Sequence, residues 1–267
     1  LVSSRTDGKI TTEDVQRVLD GGGRKGNQKI SVDKNGNVIK VTKIQKITSQ
    51  RLQKSWQQAP HIFVTVTVDM TNAAALRKKY NQEDSKSNLS FNDLIIKASA
   101  DALMEFPEIN ASYIDEDTII EWNDIHIGIA VATEQGLMVP VLENADRLSL
   151  KEISTQTKEL AHAAREGKQL STQPSRFTVS NLGMYDVDQF TAIINPPESA
   201  ILAVASIQKT PWVDDKDHLA VREVMRITLS LDHRIGDGVL SAKFLNRIKQ
   251  LLQNPEELIN PGHQVVK

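Results

Sequence analysis

Ile62, Val64, Val66 and Val68 recur at every second position with Phe63, Thr65 and Thr67 between them, a β-branched alternation that predicts a strand. Before it, Thr42 to Trp56 carries Ile44, Ile47, Leu52 and Ser55 at helical spacing, and Ala59-Pro60 ends that helix. After it, Ser90-Phe91-Asn92-Asp93 caps an apolar helix through Leu94, Ile95, Ala98, Ala102 and Leu103, stopped by Pro107. Ile125 to Ala132 and Leu137 to Leu142 read as two apolar strands around the turn Glu134-Gln135-Gly136. Ser149-Leu150-Lys151-Glu152 has capping-box spacing and opens a helix with Ile153, Leu160, Ala161 and Ala164 inward. Phe177 to Ser180, Ala200 to Ala205 and Arg226 to Leu231 are further strands. A last helix follows Gly238, with Leu240, Phe244, Leu245, Ile248, Leu251 and Leu252 on one side. Strands and helices interleave without a strict βαβ period, which predicts an α/β fold, an α+β two-layer sandwich.

The N-terminal part differs. Residues 1–20 read as a loop and one short helix, with Thr11-Thr12-Glu13-Asp14 at its start and a stripe of Val15, Val18 and Leu19 too small to be stable alone. Gly21-Gly22-Gly23 and Lys25-Gly26-Asn27-Gln28 make 21–36 a flexible linker by composition, and residues 37–267 form the main domain. A length of 267 residues suits one such domain with a short appendage. A formal net charge of −2 offers no single-sign excess for binding nucleic acid. The absence of cysteine removes disulfides, thiolate zinc sites and a cysteine nucleophile together. No run of about 18 apolar residues is present, so no membrane-spanning helix is expected. The first residues show neither an apolar signal core nor an Arg-rich transit pattern.

No Gly-x-Gly-x-x-Gly, Walker-type or Gly-x-Ser-x-Gly motif occurs, which argues against dinucleotide, nucleotide-phosphate and ordinary serine-hydrolase chemistry. Of six histidines, His126 and His61 read as packed or rim residues, and His162, His218 and His263 as solvated ones. His233 has a different setting. It follows an apolar strand directly, stands between Asp232 and Arg234, and precedes a turn with Gly236 and Gly238, the kind of strand exit where scaffolds present reactive groups. The i, i+4 spacing of His233 and Asp237 also suits two metal ligands, but the glycines oppose a regular helix there and nothing completes a set, so no metal is expected. Asp237 alternatively pins the turn through backbone amides.

Three segments then carry a resemblance. Thr228-Leu229-Ser230-Leu231-Asp232-His233-Arg234-Ile235-Gly236-Asp237-Gly238 resembles the active-site signature of the dihydrolipoamide acyltransferases of 2-oxo acid dehydrogenase complexes. Phe177-Thr178-Val179-Ser180-Asn181-Leu182-Gly183-Met184, with Phe190 and Ile193-Ile194-Asn195-Pro196-Pro197-Glu198, is similar to a second signature. Ile127 to Thr133 with Gly136 to Val141 resembles a third; Ser55, Pro60-His61 and Phe91-Asn92-Asp93 agree more weakly. The set covers about residues 40 to 259. Asp7 to Val15 is similar to the second half of that family's peripheral subunit-binding domain, whose first helix is missing here.

The resemblance implies a chloramphenicol acetyltransferase-like fold, a mixed sheet with helices on one face, and transfer of an acyl group between dihydrolipoamide and coenzyme A. Coenzyme A enters as substrate, and the lipoyl group rides on a lipoyl domain absent from this chain. By resemblance His233 is the general base, Ser180 donates to the oxyanion, and Asp237 is the motif's acid. In many members an Arg in the segment matching Thr42 to Leu52 fixes that acid, and Gln45 stands there instead. The family builds its active site between subunits of a homotrimer, in some members joined into a 24- or 60-subunit core, and works with lipoyl domains and dehydrogenase components. The polar stretch Asn260 to Lys267 after Leu258-Ile259 makes the trimer a firmer expectation than the cage. Acetyl is the first expectation for the acyl group, with succinyl and branched-chain acyl open. The bacterial cytoplasm is the first expectation for location, the mitochondrial matrix the second. Two other readings stay open: a free-standing acyltransferase with another acceptor, and a non-catalytic assembly scaffold.

Overall fold

The computed structural model describes Thr12 and residues 37–83, 88–134, 136–168, 170–213 and 216–259. The chain divides into two units, Leu1–Val41 and Thr42–Lys267. The short helix and linker expected in the first unit lie outside the described residues apart from Thr12, as does His263.

The second unit runs α1 (Lys43–Gln58), β1 (His61–Asp69), α2 (Thr71–Glu83), α3 (Phe91–Glu105), β2 (Ala111–Asp115), β3 (Thr118–Glu121), β4 (Ile127–Ile129) and β5 (Val131–Thr133). It continues through β6 (Gly136–Met138), β7 (Val141–Leu142), α4 (Leu150–Arg165), β8 (Phe177–Asn181), β9 (Ala200–Val213), β10 (Leu219–Asp232) and α5 (Gly238–Gln253). Capping boxes start three helices: Thr42 with Gln45, Ser90 with Asp93, and Ser149 with Glu152. Each satisfies amides that the first helical turn leaves without partners.

The central sheet has the order β1-β10-β9-β8-β4-β7. Pairs β1/β10, β10/β9 and β4/β7 are antiparallel, whereas β8 runs parallel to both β9 and β4. The sheet is therefore mixed, as expected. Its two faces differ because side chains alternate along a strand. Phe177 and Val179, Ala200, Leu202 and Val204, and Ile227, Leu229 and Leu231 belong to one apolar core. Helix α5 packs on β1 and β10 and against α3, which packs in turn on α4. Phe244 of α5 meets Phe177 edge-on at 5.7 Å and Phe106 at 5.8 Å between ring centroids.

The other face is mixed, with Ile201, Ala203 and Ala205 of β9 between two polar strands. Thr178 and Ser180 of β8 and Thr228, Ser230 and Asp232 of β10 occupy the alternate positions. The segment from Gln189 to Glu198 is stapled across it. Gln189 donates to Thr65 at 3.1 Å, Ser230 donates to the Ala192 carbonyl at 2.7 Å, and Ser55 of α1 donates to the Ile194 carbonyl at 2.7 Å. His61 secures the same point: its Nδ1 donates to the Ala59 carbonyl at 2.7 Å and its Nε2 accepts from the Ile194 amide at 3.1 Å.

Four features depart from the sequence pattern. Helix α2 lacks a broad apolar stripe, burying only Ala73 fully. The hairpin β2–β3 leaves Ile114, Ile119 and Ile120 exposed. Each strand expected over Ile125 to Ala132 and Leu137 to Leu142 breaks in two, giving β4–β7 in the central sheet and β5–β6 in a separate ribbon. The break falls where the Ala130 amide donates to Val179 on β8 and where Pro140 has no amide to give. Finally, β9 and β10 run on to Val213 and back from Leu219 as an arm whose Val213, Leu219 and Val221 are more than half exposed. No helix among the described residues is long and apolar enough to cross a membrane.

Candidate active site

β10 ends at Asp232, whose amide donates to the Ser199 carbonyl at 2.8 Å. The next residue is His233. Its backbone amide donates to the Pro60 carbonyl at 2.8 Å, so the strand exit is anchored to the turn before β1. Its side chain is exposed. The flanking residues clamp it from both sides. Arg234 Nε donates to Asp232 Oδ1 at 3.0 Å and its terminal nitrogen to Oδ2 at 2.6 Å, while the guanidinium lies 3.9 Å from the Tyr113 ring centroid. Asp232 is buried, so this fork also supplies its carboxylate with donors it needs away from water. The bond to Asp232 raises the Arg234 pKa further.

Asp237 is the N-cap of α5, its Oδ1 accepting from the Leu240 amide at 2.9 Å. The Leu240 amide above all, then the Val239 amide and the His233 and Lys243 charges, hold its carboxyl below the ordinary carboxylate range. Gln45 serves elsewhere: its Oε1 accepts from the Thr42 amide at 2.9 Å in the cap of α1. Gly236 lets Leu240 pack closely, since a Cβ there would lie 2.5 Å from Leu240 Cδ2 and displace that side chain.

Ser180 occupies a different place. It is half-buried and lines a cavity of about 660 Å³ together with Arg51, Met138, Lys168, Thr178, Asn195 and Ile201. β8 and β9 present that wall, helix α1 adds Arg51, and the Asn195-Pro196-Pro197 segment closes it. Gly128 stands behind, where a Cβ would come within 2.7 Å of Val139 and 2.8 Å of Thr178 Oγ1. Beneath the wall lies Glu198, buried, its Oε1 accepting from Ser175, from Thr178 at 2.8 Å and from Asn195 at 2.8 Å.

His233 and Ser180 do not meet within one chain. Ser180 pairs with Ala203 across β8/β9, and the residue before His233 is bonded to Ser199. Those two points lie four positions apart along β9, about 13 Å, and on strands two spacings apart, about 10 Å. A hydrogen bond between the side chains is out of reach, whereas His233 and Asp237 share one turn.

Among residues without a role in the sequence reading, Arg234 and Tyr113 hold the His233 turn, and Arg51, Thr178 and Glu198 shape the cavity. The alternation in β8 signals Thr178, since it shares a face with Ser180. Tyr113 and Arg51 leave no local signal, because their contacts are made across the fold. His61 and His126 are partly and fully buried with backbone partners, and His162 and His218 are exposed, all as read from the chain.

Known proteins match this arrangement. The family described as 2-oxoacid dehydrogenases acyltransferase (catalytic domain) matches residues 33–260. The dihydrolipoyllysine-residue acetyltransferase component of the mitochondrial pyruvate dehydrogenase complex from Schizosaccharomyces pombe is 42% identical, over 83% of this chain and 47% of that protein. The lipoamide acyltransferase component of the branched-chain alpha-keto acid dehydrogenase complex from Bacillus subtilis is 41% identical, over 82% and 53%. The chain thus spans about half the length of the curated relatives it matches. Among solved structures, the Azotobacter vinelandii dihydrolipoamide acetyltransferase, studied for the role of a serine, a histidine and an asparagine in its catalytic mechanism, superposes with a TM-score of 0.81. It is 33% identical, covering 86% of this chain and 98% of that one. With its sheet, its strand-exit histidine and its serine-lined cavity, the chain belongs to the 2-oxoacid dehydrogenases acyltransferase family and carries that family's catalytic domain.

Proposed function

We propose that this chain moves an acyl group, acetyl first, between dihydrolipoamide and coenzyme A in the core of a 2-oxo acid dehydrogenase complex. The observation that carries the reading is the placement of Ser180 in a cavity wall while the exposed His233 stands far from it on the same chain. Each chain holds half of an acyl-transfer site, and a second copy supplies the other half. A homotrimer is the smallest closed head-to-tail ring that gives every copy one donor and one acceptor side.

A free thiol has a pKa near 8.5 and is mostly protonated at neutral pH. The His233 imidazole takes the proton as the sulfur attacks the thioester carbonyl. The tetrahedral intermediate carries its charge on oxygen, where the Ser180 hydroxyl donates. Collapse breaks the other carbon–sulfur bond, and the imidazolium returns the proton to the departing thiol. One thioester is lost and one formed, so no outside reagent is needed. The dihydrolipoyl arm comes on a lipoyl domain, and the dehydrogenase components are the further partners.

Asp237 acts by holding the turn. The A. vinelandii histidine and asparagine stand four positions apart, the spacing of His233 and Asp237. Asn and Asp are equally good helix N-caps. Asp237→Asn should therefore keep most of the rate, while Asp237→Ala, which loses the cap, should lower kcat with little change in KM. Wild-type rates for both variants would remove Asp237 from the mechanism, and equally lowered rates would replace the cap by a role for its charge.

The deciding measurement compares acetyl-, isobutyryl- and succinyl-coenzyme A as donors to dihydrolipoamide, with small amines and alcohols as alternative acceptors. The expected result is the highest kcat/KM for acetyl-coenzyme A with dihydrolipoamide. A preference for amines or alcohols would make this a different acyltransferase, and no acyl exchange by a folded oligomer would leave a scaffold. Isobutyryl as the best donor would overturn acetyl alone, and the nearly equal identities to the acetyl- and branched-chain relatives make that comparison necessary.

A further inference from the structure

We propose that Glu198 is a positioning residue of the Ser180 cavity, and that loss of its proton loosens the wall it ties together. The inference rests on the reading of that cavity as the acyl-transfer site. One carboxyl oxygen joins three separate pieces of the wall. Oε1 accepts from Ser175 just before β8, from Thr178 on β8 and from Asn195 on the covering segment, and all three donors line the cavity. Thr178 stands two residues from Ser180 on the same face of the strand, about 7 Å away. The Glu198 amide also donates to the Asn195 carbonyl at 3.0 Å, closing the turn that bears Asn195.

The second oxygen favours the neutral form. Oε2 is buried and has no hydrogen-bond partner among the described residues. An ionised carboxylate would leave part of its charge on that oxygen without a donor, which is costly away from water. A proton on Oε2 removes the charge and leaves Oε1 as the acceptor of all three bonds. Burial accordingly pushes the carboxyl up to about 7, against the lowering effect of Ser175, Thr178, Asn195 and the Arg51 charge. Near neutral pH the group stands at the point of change. An anion there would attract the Arg51 charge and oppose the negative charge that develops beside Ser180.

Among the described residues, other charged and titratable groups near the site have partners of their own, and Glu143 accepts from the Thr172 and Gln173 amides at the cavity. Lys168 at the cavity is paired with Glu166 at 2.7 Å. His61 on β1 is bonded to Ala59 and Ile194. Arg176, next to Ser175, lies over the Trp122 ring at 3.5 Å. His126, ahead of β4, accepts from the Asn144 amide.

The test uses the intact oligomer of wild type, Glu198→Gln, Glu198→Ala and Ser175→Ala, from pH 5.5 to 8.5. Thermal unfolding reads the proton directly. The folded-state pKa lies above the unfolded value, so the bound proton stabilises below the ordinary carboxyl range and that gain is lost as pH rises through about 7. Wild type should lose midpoint temperature over that interval relative to Glu198→Gln. In kinetics, the wild-type KM for acetyl-coenzyme A should rise several-fold between pH 6 and 8, and Glu198→Gln should be flat. Glu198→Ala should show a raised KM throughout, so that only Gln rescues. Ser175→Ala removes one donor and should move the wild-type inflection to higher pH, which keeps the proposal testable if Glu198→Gln fails to fold. Wild-type slopes retained in Glu198→Gln, an unmoved inflection in Ser175→Ala, or Gln no better than Ala would each overturn it. A fully active His233→Ala would sink the acyl-transfer reading instead, and the unfolding comparison would still report on Glu198.

Discussion

His233→Ala is expected to lower kcat about 10³-fold or more while KM for either thiol substrate changes little. On the proposed mechanism the sulfur of each substrate is mostly protonated at neutral pH, and the imidazole acts only as the thiol attacks and leaves. Removing it costs transition-state stabilisation and leaves ground-state binding to the cavity intact. The fold should tolerate the change, because the structural contribution of His233 is its backbone amide on Pro60, which alanine keeps. Its exposed ring packs no core. An unchanged melting temperature with a collapsed kcat, followed by release of the coenzyme A thiol, is the expected pair of results. A variant retaining a tenth or more of the rate would remove His233 as the base.

Much of this site is legible in the chain, for reasons that differ from residue to residue. The helices starting after Thr42, Ser90 and Ser149 announce themselves because a capping box is a local contact between residues three apart. The alternation in β8 assigns Phe177 and Val179 to one face and Thr178 and Ser180 to the other, which already separates core from cavity. The His233 turn stands out through its glycines and charged neighbours, but spacing alone leaves base, ligand and cap open for His233 and Asp237. What is hidden is long-range. Helix α2 and the hairpin β2–β3 bury too little to impose an apolar period on their sequence. The split of the 125–142 segment depends on Val179 of β8 claiming the Ala130 amide. Ile47, inward by helical spacing, is 49% exposed on the single chain. Glu198 reads as an ordinary charged residue until the fold buries it under Ser175, Thr178 and Asn195.

Ser180→Ala should lower kcat by about 10²–10³-fold, the effect of removing one donor from an oxyanion. The residue lines the cavity together with Thr178 and is not part of the apolar core. Its placement makes a stronger test possible. His233 and Ser180 of one chain lie too far apart to act together, so the proposed mechanism takes the two from different copies. Subunits of His233→Ala keep the serine, and subunits of Ser180→Ala keep the histidine. Unfolded together and refolded as a one-to-one mixture, they should regain about a quarter of wild-type activity, since random assembly around a closed ring joins an intact histidine to an intact serine at that share of the interfaces. Each variant refolded alone should stay inactive. Dilution of wild type below the concentration at which the ring dissociates should abolish turnover for the same reason. If the mixture gains nothing while both variants assemble, the two residues serve one site within one chain or no common site, and the division of labour between subunits fails.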